Sequence, residues 1–162
     1  MDQHTELINK AGRLLQKEGA TVAVAESVTS GNLQAIFSLA KNATLFFQGG
    51  MTAYNIGQKC RHLMVEPTHA IECNCVSQKV SEAMAAEICH LFTSDYGIGI
   101  TGYASPVPEK NIQQLYAWLS IAKGNKILGS KKIISPQKKP LEVQLEFTQK
   151  AIEYFIEILK KK

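Results

Sequence analysis

The chain has 162 residues, 45% of them apolar and 20% charged, with five Pro and eleven Gly. That balance excludes a disordered or fibrous protein and is enough for one compact domain, residues 1–162, with a sizeable core. The net charge of +4 comes from 18 basic and 14 acidic residues, with basic residues grouped at Lys131-Lys132 and Lys160-Lys161-Lys162; grouping without interleaved aromatics reads as a solvated face or tail, so no nucleic-acid partner is expected.

From Leu7, the positions Leu7, Ile8, Ala11, Leu14 and Leu15 follow helical spacing, and Gly19 closes the pattern. Residues 21–25 read as a short buried strand that runs directly into a helical set at Leu33, Ile36, Phe37 and Ala40, implying a tight turn from Glu26 to Gly31. β-type residues from Phe46 to Tyr54 surround Gly49-Gly50, and a short helix follows from about Asn55 to Leu63. Ser77 is placed to cap a helix whose apolar face is Val80, Ala83, Met84, Ile88 and Leu91, and a strand runs from Tyr96 to Thr101.

After a Gly- and Pro-bearing loop from Gly102 to Asn111, Leu115, Ala117, Leu119 and Ile121 alternate with Tyr116, Trp118 and Ser120, and Gly124-Asn125 turns this strand into a hairpin. Tyr116 and Trp118 then belong to sheet packing. Pro136 and Pro140 precede a last helix with Leu145, Ile152, Phe155, Ile156 and Leu159 inward. The interleaving of helices and strands, ending in a hairpin, predicts an α/β fold with a mixed sheet covered by helices on both faces. There is no internal repeat and no linker long enough to mark a second domain.

Met1-Asp2-Gln3-His4 lacks the pattern of an export signal, and no apolar run reaches the ~20 residues that cross a bilayer. A cytoplasmic protein with no membrane partner is expected, with Cys60, Cys73, Cys75 and Cys89 as reduced thiols. His62, His69, Glu72, Cys73 and Cys75 form a polar cluster, but it lacks the paired ligand spacing of a structural zinc site, so no metal is expected. His4 and His90 carry no assignable role.

In open α/β sheets, ligands bind beyond the carboxyl ends of the strands. Two segments lie at such ends: residues 25–31, Ala-Glu-Ser-Val-Thr-Ser-Gly, and residues 101–106, Thr-Gly-Tyr-Ala-Ser-Pro. Helix capping accounts for Ser and Thr in such turns as well as catalysis does. A nucleophilic Ser requires a base, and no Gly-x-Ser-x-Gly elbow is present. A lysine desolvated in a pocket can serve, although spacing alone does not say which.

Residues 25–31 resemble the A-E-S-C-T-G-G signature of the CinA C-terminal domain family, whose active members are nicotinamide-nucleotide amidases. The resemblance continues in Gly49-Gly50-Met51-Thr52-Ala53-Tyr54 with Lys59, in Val76-Ser77, in Asp95-Tyr96-Gly97 and in residues 101–106, which are similar to T-G-I-A-G-P. It implies a three-layer α/β/α sandwich with a mixed, mostly parallel sheet, here without the larger N-terminal domain that some relatives carry. It also implies Ser27 as nucleophile, Lys59 as its base, Tyr54 as an assisting hydroxyl, and Thr29, Ser30, Gly31, Thr101, Gly102 and Ser105 as substrate-binding residues.

The departures are Val28 for Cys, Ser30 for Gly, Asn55-Ile56 where Ser-Asn is usual, Ser105 for Gly, and Val107-Pro108 for a glycine pair. Side chains in a phosphate-binding loop change its shape, so a glycine at 105 is expected to improve affinity. The resemblance implies an amidohydrolase that converts nicotinamide mononucleotide to nicotinate mononucleotide and ammonia, without cofactor, as a homo-oligomer in pyridine nucleotide salvage. The alternative is a non-catalytic nucleotide-binding or regulatory module that keeps the pocket.

Overall fold

The computed structural model describes residues 3–161. Among them lie six helices, α1 (Gln3–Glu18), α2 (Asn32–Ser38), α3 (Ile56–Leu63), α4 (Pro67–Glu72), α5 (Gln78–Phe92) and α6 (Pro140–Lys160). The strands are β1 (Val22–Glu26), β2 (Phe47–Thr52), β3 (Tyr96–Gly102), β4 (Leu115–Lys123) and β5 (Lys126–Ser135), in the sheet order β2-β1-β3-β4-β5. β1 pairs in parallel with β2 and β3, whereas β3 with β4 and β4 with β5 are antiparallel. The sheet is mixed, as the sequence predicts. Its pairings divide evenly, however, because the β4–β5 hairpin adds two antiparallel contacts, and the parallel character is confined to β2-β1-β3.

Side chains that alternate along β1 serve two cores. Val22 and Val24 pack with Ile8 and Leu15 of α1, Phe37 of α2 and Phe155 of α6, whereas Ala23 and Ala25 pack with Leu63 of α3, Ala70 of α4 and Met84 of α5. Helices therefore cover both faces. On α6, Val143 and Phe147 are buried while Leu145 is only partly covered, so the inward stripe begins on different residues from those the spacing suggested.

The approach of α5 to the sheet depends on two glycines of β3. A Cβ at Gly97 would lie 2.1 Å from the Ala85 carbonyl oxygen, and one at Gly99 would lie 2.3 Å from that of Ser81. Only a bare backbone fits there. A chain of hydroxyls fastens the same layer: Ser120 on β4 lies 2.6 Å from Ser81 on α5 and 2.8 Å from Ser130 on β5, and Ser130 donates to Glu82 at 2.9 Å.

Helix α4 was not anticipated, although its start is encoded locally. The Glu66 carboxylate accepts the N–H groups of Thr68 and His69, and Pro67 occupies the first turn, where it needs no donor. By contrast, Ser77 caps α5 as its position predicts, accepting the N–H of Val80 at 3.1 Å.

Candidate active site

Because β1, β2 and β3 are parallel, their carboxyl ends meet at one edge of the sheet, and each delivers a segment to a single cavity of about 610 Å³. Ser27 is the residue immediately after β1. Its N–H donates to the Ile100 carbonyl at 3.1 Å, and the Glu26 carbonyl accepts the N–H of Ala53 at 2.9 Å. The nucleophile candidate is thereby pinned between β2 and β3. The chain then turns through Ser30 (φ 48°) and Gly31 (φ 94°), both left-handed, into α2.

Lys59 reaches the same point from β2. Asn55 caps α3 by accepting the N–H of Gln58 at 3.0 Å, which starts a helix that directs Lys59 inward. Its Nζ lies 2.9 Å from Ser27 Oγ, with the two residues only 3% and 6% exposed. Burial pushes the Lys59 amine below its ordinary value of 10.5, while the nearby Cys75 and Cys60 thiols act weakly in the opposite sense. A buried lysine hydrogen-bonded to a serine, with no carboxylate lining the cavity, is an arrangement that can hold a neutral amine as a base.

Tyr54 borders the cavity and is 69% exposed, making no hydrogen bond to Ser27 or Lys59. Thr101 and Gly102 line it from β3, and the Thr101 hydroxyl donates to the Cys75 carbonyl at 2.7 Å. That bond holds the Asn74-Cys75 turn, two successive left-handed residues, against the sheet. Asn74 in turn donates to the Tyr103 hydroxyl at 3.3 Å. The α4–α5 connection thus forms one wall of the cavity, with Cys75 and Val76 in its lining.

The remaining expected substrate contacts are placed elsewhere. Thr29 is fully buried and donates its hydroxyl to Glu26. Neither Thr29, Ser30, Gly31 nor Ser105 lines the cavity, and Ser105 is exposed. The N-terminus of α2 is likewise committed: the Glu26 carboxylate accepts the N–H groups of Leu33 and Gln34, each at 2.9 Å. Glu26 is the anion that completes this helix end, so those groups do not serve an oxyanion. Val28 does line the cavity, and its N–H has no acceptor among the described residues.

Asn74, Cys75, Tyr103 and Lys110 also line the cavity and were not among the expected site residues. The Glu66-Pro67 helix start was the local signal for the first two, since it folds α4 and aims its exit at β3. Among the described residues no three His, Cys, Asp or Glu side chains converge as metal ligands.

The profile of the CinA C-terminal domain family matches residues 4–159. A CinA-like protein of Synechocystis sp. is 39% identical over 112 residues, which are 67% of this chain and 27% of that protein. A CinA-like protein of Prochlorococcus marinus is 41% identical over 57% of this chain and 22% of its own length. The chain therefore spans about a quarter of these relatives.

Two solved structures share the fold. The CinA superfamily protein KP700603 of Klebsiella pneumoniae 700603 superimposes with a TM-score of 0.91 at 23% identity, covering 98% of both chains. The competence damage-inducible protein A of Klebsiella pneumoniae subsp. pneumoniae MGH 78578 gives 0.92 at 22% identity, covering 99% of both. The match along almost the whole chain, with the fold that accompanies it, establishes that this chain belongs to the CinA C-terminal domain family.

Proposed function

We propose that the chain is an amidohydrolase of the nicotinamide-nucleotide amidase type, which hydrolyses the carboxamide of nicotinamide mononucleotide to nicotinate mononucleotide and ammonia. The observation that carries this reading is the 2.9 Å contact between Lys59 Nζ and Ser27 Oγ in a cavity at the carboxyl ends of the parallel strands. The family resemblance supplies the substrate. The same resemblance extends the proposal to a cytoplasmic homo-oligomer acting in pyridine nucleotide salvage; among the described residues no helix is long and apolar enough to cross a membrane.

In this mechanism the neutral amine of Lys59 accepts the Ser27 proton as Oγ bonds to the amide carbon. The resulting oxyanion takes the free N–H of Val28, next to the nucleophile, as a donor. The carbon–nitrogen bond then breaks, and the Lys59 ammonium passes its proton to the leaving amino group, which departs as ammonia. Water attacks the ester on Ser27 and gives a proton to Lys59. The carbon–Oγ bond breaks, the proton returns to Ser27, and the acid product leaves, releasing its remaining proton to solvent as it becomes the carboxylate. Thr101 and Gly102 line the cavity, which supports reading them as substrate contacts, and Tyr54 borders it.

Ammonia release from nicotinamide mononucleotide tests the reading: the wild type turns over and Ser27→Ala does not, although it folds. Absence of turnover by the wild type, with tight binding of the nucleotide, would favour the binding-module alternative.

A further inference from the structure

The residues that line the cavity include two lysines, Lys59 and Lys110, and no carboxylate. Lys59 is buried and committed to Ser27. Lys110 is exposed and makes no ion pair among the described residues. It sits where the β3–β4 loop turns back on itself, and the loop is held there by its own backbone. Val107 and Ile112 exchange two hydrogen bonds of 3.0 Å, the Lys110 N–H donates to the Val107 carbonyl at 3.0 Å, and left-handed Asn111 (φ 57°) donates to Pro108. A cation on an anchored loop at the rim of a cavity lined by no carboxylate raises the local concentration of anions there. Glu109, the acidic residue next to it in sequence, lies outside the lining.

We propose that Lys110 is a specificity-determining residue that binds the phosphate group of the substrate, while Ser27 and Lys59 act on the amide. This rests on the amidase reading and deepens it, because a volume of about 610 Å³ accommodates a mononucleotide, and Ser105 and Val107-Pro108 stand where the resemblance leads one to expect loop glycines that would approach a phosphate. The contact is one charge-assisted hydrogen bond at a wet rim, so it contributes discrimination more than bulk affinity, and it weakens as salt rises.

The test compares kcat/KM for nicotinamide mononucleotide and nicotinamide riboside, which differ only in the phosphate, in the wild type, Lys110→Met and Lys110→Arg. The wild type prefers the mononucleotide, Lys110→Met lowers that preference by about tenfold, and Lys110→Arg retains most of it. Raising the ionic strength erodes the preference of the wild type and not that of Lys110→Met. An undiminished preference in Lys110→Met, or no preference in the wild type, overturns the assignment. Calorimetric binding of the same two compounds to Ser27→Ala, with and without Lys110→Met, keeps the inference separate from the amidase reading. If neither compound is hydrolysed, the amidase reading fails, yet tighter binding of the mononucleotide that disappears with Lys110→Met still supports the phosphate contact, and equal binding of the two compounds rejects it.

Discussion

The Glu26 carboxylate accepts the N–H of Leu33 at 2.9 Å, so the residue immediately before the nucleophile candidate completes the helix that follows it. The second carboxylate oxygen takes the N–H of Gln34 at 2.9 Å, and the Thr29 hydroxyl bonds to the first. One fully buried side chain therefore ties β1, the Ser27 turn and α2 together.

Glu26→Ala removes the acceptor of all three groups at once and leaves two helix N–H groups without a protein partner. The expected cost is about 3 kcal/mol or more, with turnover reduced because the Ser27 turn loosens. Glu26→Gln keeps one acceptor oxygen and should lose less. Urea titration of the three proteins checks the ranking, and an unchanged midpoint for Glu26→Ala would refute it.

Gly99→Ala probes the contact between α5 and the sheet. The added methyl would lie 2.3 Å from the Ser81 oxygen and 2.6 Å from the Ala85 nitrogen, both backbone atoms of one helix, so relief requires the helix to shift. A loss of about 1–3 kcal/mol or more is expected, read as a lowered thermal midpoint. Gly19→Ala is a useful contrast, since a Cβ there meets nothing within 4 Å and only the left-handed φ of 68° opposes it.

Lys59→Met should abolish turnover and yet leave the protein as stable or more so, by roughly 1–4 kcal/mol, since it removes a buried amine. The pH dependence has a definite sign. The folded-state value is lowered below 10.5 by burial, so between the folded value and 10.5 the unfolded chain binds more protons, and the wild type gains stability as pH rises through that window. The advantage of Lys59→Met is complete below the folded value and fades toward 10.5. Chemical denaturation across pH measures it, and a wild type that loses stability relative to Lys59→Met as pH rises would contradict the buried-amine account.

Much of this site was legible in the sequence because it depends on local chemistry. The direct passage from Ala25 into the Ser27 turn, the glycines before Tyr54 and the Ser77 cap each leave a signature within a few residues. The contact between Ser27 and Lys59, 32 residues apart, follows from the parallel pairing of β1 with β2, and only the family resemblance indicated it beforehand. The roles expected of Thr29 and Ser30 came from the family resemblance alone, and nothing nearby in sequence announces that Glu26 takes the Thr29 hydroxyl and the free N–H groups of α2. Ser105 follows β3, as expected, but it is exposed and outside the cavity lining, whereas Tyr103 and Lys110 of the same loop belong to it. The bridge between Val107 and Ile112 that anchors the Lys110 end of the loop is not revealed by sequence patterning.

The central claim is that Lys59 works on Ser27 as a neutral base, and the kcat/KM of Lys59→Arg for nicotinamide mononucleotide, set against the wild type across pH, tests it most directly. The wild type should show a rising limb below the ordinary lysine value of 10.5, because burial favours the uncharged amine. Lys59→Arg should be nearly inactive at every pH, since a guanidinium keeps its charge and does not give up its proton in this range. Near-normal turnover by Lys59→Arg would contradict the account.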